Sequence, residues 1–153
     1  MTGMNATNGM HAMQEETISI LNRTSELDRV YTFIEEFASR YSIIERVRYK
    51  LHLAIDEILA NIISYAYTDE ESHYIIIRLW IEDEAVRIEF VDDGVAYNPL
   101  LQPEPKIDVP LEERQVGGLG IYLVRKLMDA VEYRRDIEKN HLIISKSLHG
   151  TNE

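Results

Sequence analysis

Glu57 and Asn61 stand four residues apart in "AIDEILANIISYAY". At about 100° per residue, Leu51, Ile55, Ile58, Leu59 and Ile62 fall in one arc that must face a core. Glu57 and Asn61 share one edge of that arc, whereas Asp56 points about 100° away from Glu57, toward water. Such a pair suits an ordinary helix flank. At a partly desolvated edge it also suits a base beside an oxygen ligand for magnesium. A second acid, Asp92, ends the alternation in "FVDDGVAYNPL". Val86, Ile88, Phe90 and Asp92 are in phase, while Arg87, Glu89, Val91 and Asp93 share the opposite face. Asp92 therefore points where the core points, and a buried carboxylate needs fixed donors. The same Asp-Asp-Gly also fits a turn in which Gly94 supplies a positive φ and Asp92 caps its own backbone. Finally, "GGLGIYLVRKLMD" places Gly117, Gly118 and Gly120 just before a helix, where free N–H groups and the dipole favour an anion. No Gly-Lys-Ser/Thr follows, and a proline-rich stretch precedes it instead of a buried strand. It is therefore neither a Walker A loop nor a strong dinucleotide fingerprint.

The elements that must position these groups follow from periodicity. Residues 1–14, with four of the five methionines among Asn, Gly and Thr, show no period and read as a disordered leader. Residues 15–150 read as one domain. "ETISILN" is a short strand, and Ser25 with Asp28 three residues on suits a helix N-terminus. Leu27, Val30, Tyr31, Ile34, Phe37, Ala38 and Tyr41 carry the helical period to about Tyr41. "SIIE", from Ser42 to Glu45, has the form of a capping box and opens a longer helix to about Tyr67. "HYIIIRLWI" and "AVRIEFV" form a hairpin through the acidic turn Glu82 to Glu84. All four prolines then fall between Asn98 and Val116, and every internal glycine flanks that stretch. Prolines at this density exclude helix and central strand, and a loop of this length usually serves as a lid or binding loop. Beyond it, "IYLVRKLMDAV" is an amphipathic helix, and "VEYRRDI" and "HLIISKSL" are closing strands.

Composition narrows the function. The formal charge of −11, with no Lys/Arg cluster, disfavours nucleic acid. The absence of cysteine removes disulfides, thiolate chemistry and Cys-ligated zinc, and the five histidines have no metal-ligand spacing. No apolar run approaches the roughly 20 residues of a membrane span, and with no signal-peptide pattern a cytoplasmic location is expected. Ile76, Trp80 and Val91 make the outer hairpin face apolar, which suits a covering surface such as a dimer partner.

Taken in order, Glu57-x3-Asn61 on a long helix, Asp92-x-Gly94 after a strand, a lid and Gly118-x-Gly120 before a helix resemble the ATP-binding domain shared by DNA gyrase, heat-shock chaperones and sensor histidine kinases. "AIDEILANIISYAY … DDGVAYNPL … GGLGIYLVRKLMDAVEY" is most similar to the bacterial anti-sigma-factor serine/threonine kinases and their relatives. The resemblance covers nearly the whole chain after the leader. It implies a Bergerat-type ATP-binding fold: an α+β two-layer sandwich with a mixed, mainly antiparallel sheet and helices packed on one face. It further implies ATP and Mg²⁺, with Glu57 as general base, Asn61 as magnesium ligand and Asp92 as acceptor of the adenine amino group. Gly94 would let the base approach the backbone. Gly118, Leu119 and Gly120 would receive the phosphates, with Gly117 supporting the turn, and residues 98–116 would close as a lid. The implied partners are an anti-sigma-antagonist-type protein substrate, a sigma factor and a second copy of the chain. An alternative is a nucleotide-dependent binding module that sequesters a regulator without kinase activity. Two departures stand out. The family often has a glycine or proline where Ala96 stands, and its closing strands commonly carry a Gly-Thr near the adenine pocket where this chain has "EKNHL". One nucleotide contact is thus left unassigned. Arg114 is close to, but out of register with, an arginine that precedes the glycine loop in some of these kinases.

Overall fold

The structure, a computed structural model, describes residues 15–101 and 118–149. The leader, most of the proposed lid, Arg114 and Gly117 lie outside the described residues. Five strands, β1 (Glu16–Leu21), β2 (Tyr74–Glu82), β3 (Ala85–Asp92), β4 (Ala130–Asp136) and β5 (Lys139–Ser147), form one sheet in the order β1-β2-β3-β5-β4. Each of the four pairings is antiparallel, so among the described residues the mainly antiparallel sheet is antiparallel throughout. Three helices, α1 (Leu27–Arg40), α2 (Glu45–Tyr65) and α3 (Gly118–Leu127), complete the α+β arrangement. The core lies between sheet and helices. The expected arc of α2 is buried in full, and it meets Ile75, Ile77, Val86, Ile88 and Phe90 of the inward-facing strand positions.

Two expected helix caps do not form, and one local competition explains the larger miss. Ser42 adopts a left-handed conformation (φ 54°). Its N–H donates to Ser39 O (3.3 Å), and the Ile43 N–H donates to Ala38 O (2.9 Å). Those two bonds are a Schellman closure of α1, with Ile43 buried behind it. Ser42 is thus spent on ending α1 and cannot cap α2, whose N-cap is Ile44 with no side-chain cap bond. At the start of α1, Ser25 sits inside a 3-10 turn (Thr24–Glu26). Glu26 takes the organising role: its Oε1 accepts from the Leu21 N–H and from Arg29 Nη1, each at 2.9 Å.

The β2–β3 hairpin turns on Asp83 and Glu84 at φ 54° and 60°, the doubly positive geometry of a two-residue type I′ turn achieved without glycine. Register then pairs Phe90 with Leu142 and Asp92 with Asn140 across β3 and β5.

No described helix covers the other face of the sheet. Ile76, Trp80 and Val91 are half-buried there, and Glu89 is only 2% exposed. Arg78 Nε donates to Glu89 Oε1 at 3.0 Å, and His141 Nδ1 lies 2.8 Å from Oε2. Burial alone would raise the Glu89 pKa, but the bonds from Arg78 and His141 outweigh it and hold the carboxylate below its ordinary range. Among the described residues no helix is long and apolar enough to cross a membrane.

Candidate functional site

Asp92 ends β3 and is 6% exposed, on the inward face that strand parity requires. The Gly94 N–H and Asn140 Nδ2 both donate to its Oδ1, each at 2.9 Å. The turn reading is therefore half realised: Asp92 does cap its own backbone, but Gly94 does not occupy the left-handed region. Glycine is required for space instead. A Cβ built there would lie 2.4 Å from Ala66 O and 2.6 Å from Ala66 Cβ, at the end of α2. The Val95 N–H, next along, donates to that same carbonyl at 2.7 Å. Gly94 thus clamps the exit of β3 onto the C-terminus of α2.

Both donors to Asp92 use one oxygen, and no described residue donates to Oδ2. The carboxyl borders a mostly apolar recess of about 120 Å³, walled by Ile58, Ile62, Ala66, Ile121 and Leu142 and shared with Asn61. Desolvation pushes the Asp92 pKa up, against the lowering effect of its bonds from Asn140 and Gly94. An uncommitted carboxylate oxygen beside an apolar slot suits a flat ring bearing an N–H donor. The buried Tyr67 hydroxyl has no hydrogen-bond partner among the described residues. Its burial, with the charges of Asp92 and Asp93 nearby, raises its pKa. Asp93 is turned outward, against His73 Nδ1 at 3.2 Å.

Asn61 and Glu57 take the edge of α2 that periodicity assigns them, both partly exposed, with no described residue hydrogen-bonded to either side chain. Asp56 is exposed and accepts from the Tyr31 hydroxyl. Glu57 approaches α3 so closely that a Cβ on Gly120 would lie 2.4 Å from Glu57 Oε1. Gly118, Leu119 and Gly120 are not a loop before the helix, as expected, but its first turn. That turn contains no acidic residue, and its N–H groups, which have no partner within the helix, carry the positive end of the helix dipole next to α2.

A magnesium ion needs about six oxygen ligands and usually takes only one or two from protein when phosphates are present. Among the described residues no three His, Asp, Glu or Cys side chains converge on a metal site. The oxygen of Asn61, unpartnered on the recess wall, fits that sparse protein contribution.

Asn140 is the site residue that sequence reading missed. The closing strand was expected to start at His141, which left Asn140 in a turn; β5 in fact begins at Lys139. The available signal was phase, since Asn140, Leu142 and Ile144 alternate on one face and all are buried. Arg135 was missed as well: its Nη1 donates to Gly94 O at 2.9 Å.

Comparison with known proteins adds four findings. The profile of the histidine kinase-like ATPase domain matches residues 20–146. The serine/threonine-protein kinase BtrW of Bordetella bronchiseptica is 34% identical over 122 residues, covering 80% of this chain and 85% of that protein. The serine-protein kinase RsbW of Oceanobacillus iheyensis is 30% identical over 86 residues, and the match spans 54% of each chain. Among solved structures, that of the RsbU and RsbW domains of Rv1364c from Mycobacterium tuberculosis superposes with a TM-score of 0.64 at 12% identity. It covers 87% of this chain and 32% of that one, a likeness of fold.

Proposed function

Because the chain belongs to the family of histidine kinase-like ATPase domains, we propose that it is an ATP-dependent serine/threonine protein kinase of the anti-sigma-factor type, phosphorylating a small antagonist protein. The observation that carries this reading is the placement of two half-sites on one helix. Asn61 shares a recess with Asp92, whose carboxylate keeps one uncommitted oxygen, and one turn away Glu57 abuts the first turn of α3.

In this reading Asp92 Oδ2 accepts the amino group of adenine, and the N–H groups at Gly118, Leu119 and Gly120 receive the phosphates. Asn61 would hold magnesium, which when bound would supply charge neutralisation to the phosphates. Glu57 takes the proton from the partner's serine or threonine hydroxyl as that oxygen bonds to the γ-phosphorus. The bond from that phosphorus to the β–γ bridging oxygen breaks, and ADP leaves. Most of the acceleration comes from positioning and fixed charge. The relatives named as serine or serine/threonine kinases support the activity. A sigma factor as second client, a homodimer and a cytoplasmic location belong to the same proposal. The sheet face that no described helix covers, with Ile76, Trp80 and Val91, supports the homodimer.

Purified protein incubated with γ-labelled ATP and candidate antagonist proteins tests the reading. Glu57→Gln should retain ATP binding and lose about 10²- to 10⁴-fold in transfer, the usual weight of a general base. ATP binding by the unaltered protein without any phosphoprotein, across the antagonist panel, favours a nucleotide-dependent binding module instead.

A further inference from the structure

Asn140 makes four hydrogen bonds from a position 6% exposed. Its Nδ2 donates to Asp92 Oδ1 (2.9 Å) and to Val95 O (2.8 Å). Its Oδ1 accepts from the Tyr133 hydroxyl (2.5 Å) and from the Tyr97 N–H (3.4 Å). This uses every donor and acceptor an amide side chain has. It also permits one orientation only: turning the amide over sets its oxygen against two oxygens and its NH₂ against the Tyr97 N–H. The bonds reach three places at the recess, namely the Asp92 carboxylate, the backbone leaving β3 at Val95 and the segment at Tyr97. Tyr133, from β4, anchors the amide from behind, and Arg135 of the same strand holds Gly94 O.

We infer that Asn140 is the positioning residue that makes the recess selective for a 6-amino over a 6-oxo purine. This rests on the reading of the recess as the base-binding end of the ATP site. By occupying Oδ1 together with the Gly94 N–H, Asn140 fixes the rotation of the carboxylate, so that Oδ2 alone is presented to a ligand as a pure acceptor. A 6-amino group donates to that oxygen. A 6-oxo group sets oxygen against oxygen and is rejected, because a site built for one hydrogen bond leaves its buried group unpaired with the wrong ligand. Without Asn140 the carboxyl can rotate, and it can keep a proton in the desolvated recess; a protonated carboxyl donates to a 6-oxo group. Selectivity then collapses from both directions.

The test compares dissociation constants for ATP and ITP, its 6-oxo analogue, in the full chain and in Asn140→Ala, Asn140→Asp and Asp92→Asn, each checked for cooperative melting. The ATP-over-ITP preference should fall by on the order of 10- to 100-fold in Asn140→Ala. Asn140→Asp keeps the shape but faces Asp92 Oδ1 and Val95 O with acceptors. It should lose the preference at neutral pH and recover part of it on mild acidification, which a purely structural loss would not produce. If Asn140→Ala does not fold, the near-isosteric Asn140→Asp carries the test alone. An unchanged ratio in a folded Asn140 variant, or equal weakening of both nucleotides, overturns the inference. Should Asp92→Asn abolish the preference while the Asn140 variants keep it, the recess binds adenine and only the role of Asn140 is wrong. Should Asp92→Asn bind ATP and ITP as the unaltered protein does, the recess is not the adenine site and both readings fall.

Discussion

Replacing Gly94 with alanine separates two reasons for a glycine beside the Asp92 turn. The added methyl would lie 2.4 Å from Ala66 O, 2.6 Å from Ala66 Cβ and 2.8 Å from Ala66 C. Two of those three atoms are backbone, so no side-chain rotation relieves the clash; β3 and the end of α2 must separate. Overpacking of this kind costs about 1 to 3 kcal/mol. Separation also breaks the 2.7 Å bond from the Val95 N–H to Ala66 O, worth about 0.5 to 1.5 kcal/mol net. Against this, alanine restricts the unfolded chain and returns about 0.4 to 1 kcal/mol. The balance centres on a loss of about 2 kcal/mol, which at about 2 to 4 °C per kcal/mol for a chain near this size lowers the melting temperature by roughly 4 to 8 °C. Thermal unfolding followed by circular dichroism, without nucleotide, reads this directly. If glycine is there only to let the base approach the backbone, Gly94→Ala melts with the unaltered protein and loses only ATP affinity. A melting temperature within about 2 °C of the parent would refute the steric argument.

Three further outcomes follow from the geometry. In Gly120→Ala the new methyl meets the mobile end of Glu57 instead of backbone, so the fold should survive, with a gain in helix propensity of up to about 1 kcal/mol. Displacing the carboxylate by about 1 Å should still lower phosphoryl transfer on the order of 100-fold with ATP binding retained, measured with labelled ATP. Denaturant titrations from about pH 3.5 to about pH 7.5 should reveal two opposed groups. Asp92, its pKa raised mainly by burial, binds a proton more readily folded than unfolded, so it costs stability above its folded pKa, and acidification toward 3.8 relieves that cost. Glu89, lowered by Arg78 and His141 against its burial, contributes stability above 4.5 that is lost as pH falls through its folded pKa. Asp92→Asn should abolish the gain, and Glu89→Gln the loss. At the β4–β5 turn, Ile137 and Glu138 hold φ at 50° and 61°, a region that costs ordinary side chains about 1 to 2 kcal/mol each. Asn-Gly in their place should raise unfolding free energy by at least about 1 kcal/mol.

Much of the site was legible because its groups lie on elements with short periods. The repeat of α2 places Glu57 and Asn61 on one edge, with Asp56 turned to solvent, before any partner is known. The alternation of β3 likewise sends Asp92 in and Asp93 out, as observed. These follow from near-neighbour geometry, and tertiary packing only has to respect them. Helix ends were less legible, since Ser42 suits both the end of α1 and the start of α2, and only the packing of Ile43 decides which helix takes it.

What the sequence alone determined is therefore the set of elements, the inward acid and the helix edge. The tertiary structure decided who meets whom. Asn140 reaches Asp92 across 48 residues through strand register, and a shift of one residue would turn it to the other face. Gly94 is needed because α2 happens to end at Ala66, and Gly120 because α3 docks on Glu57. Such contacts depend on how whole elements are set against one another, and no local period encodes that.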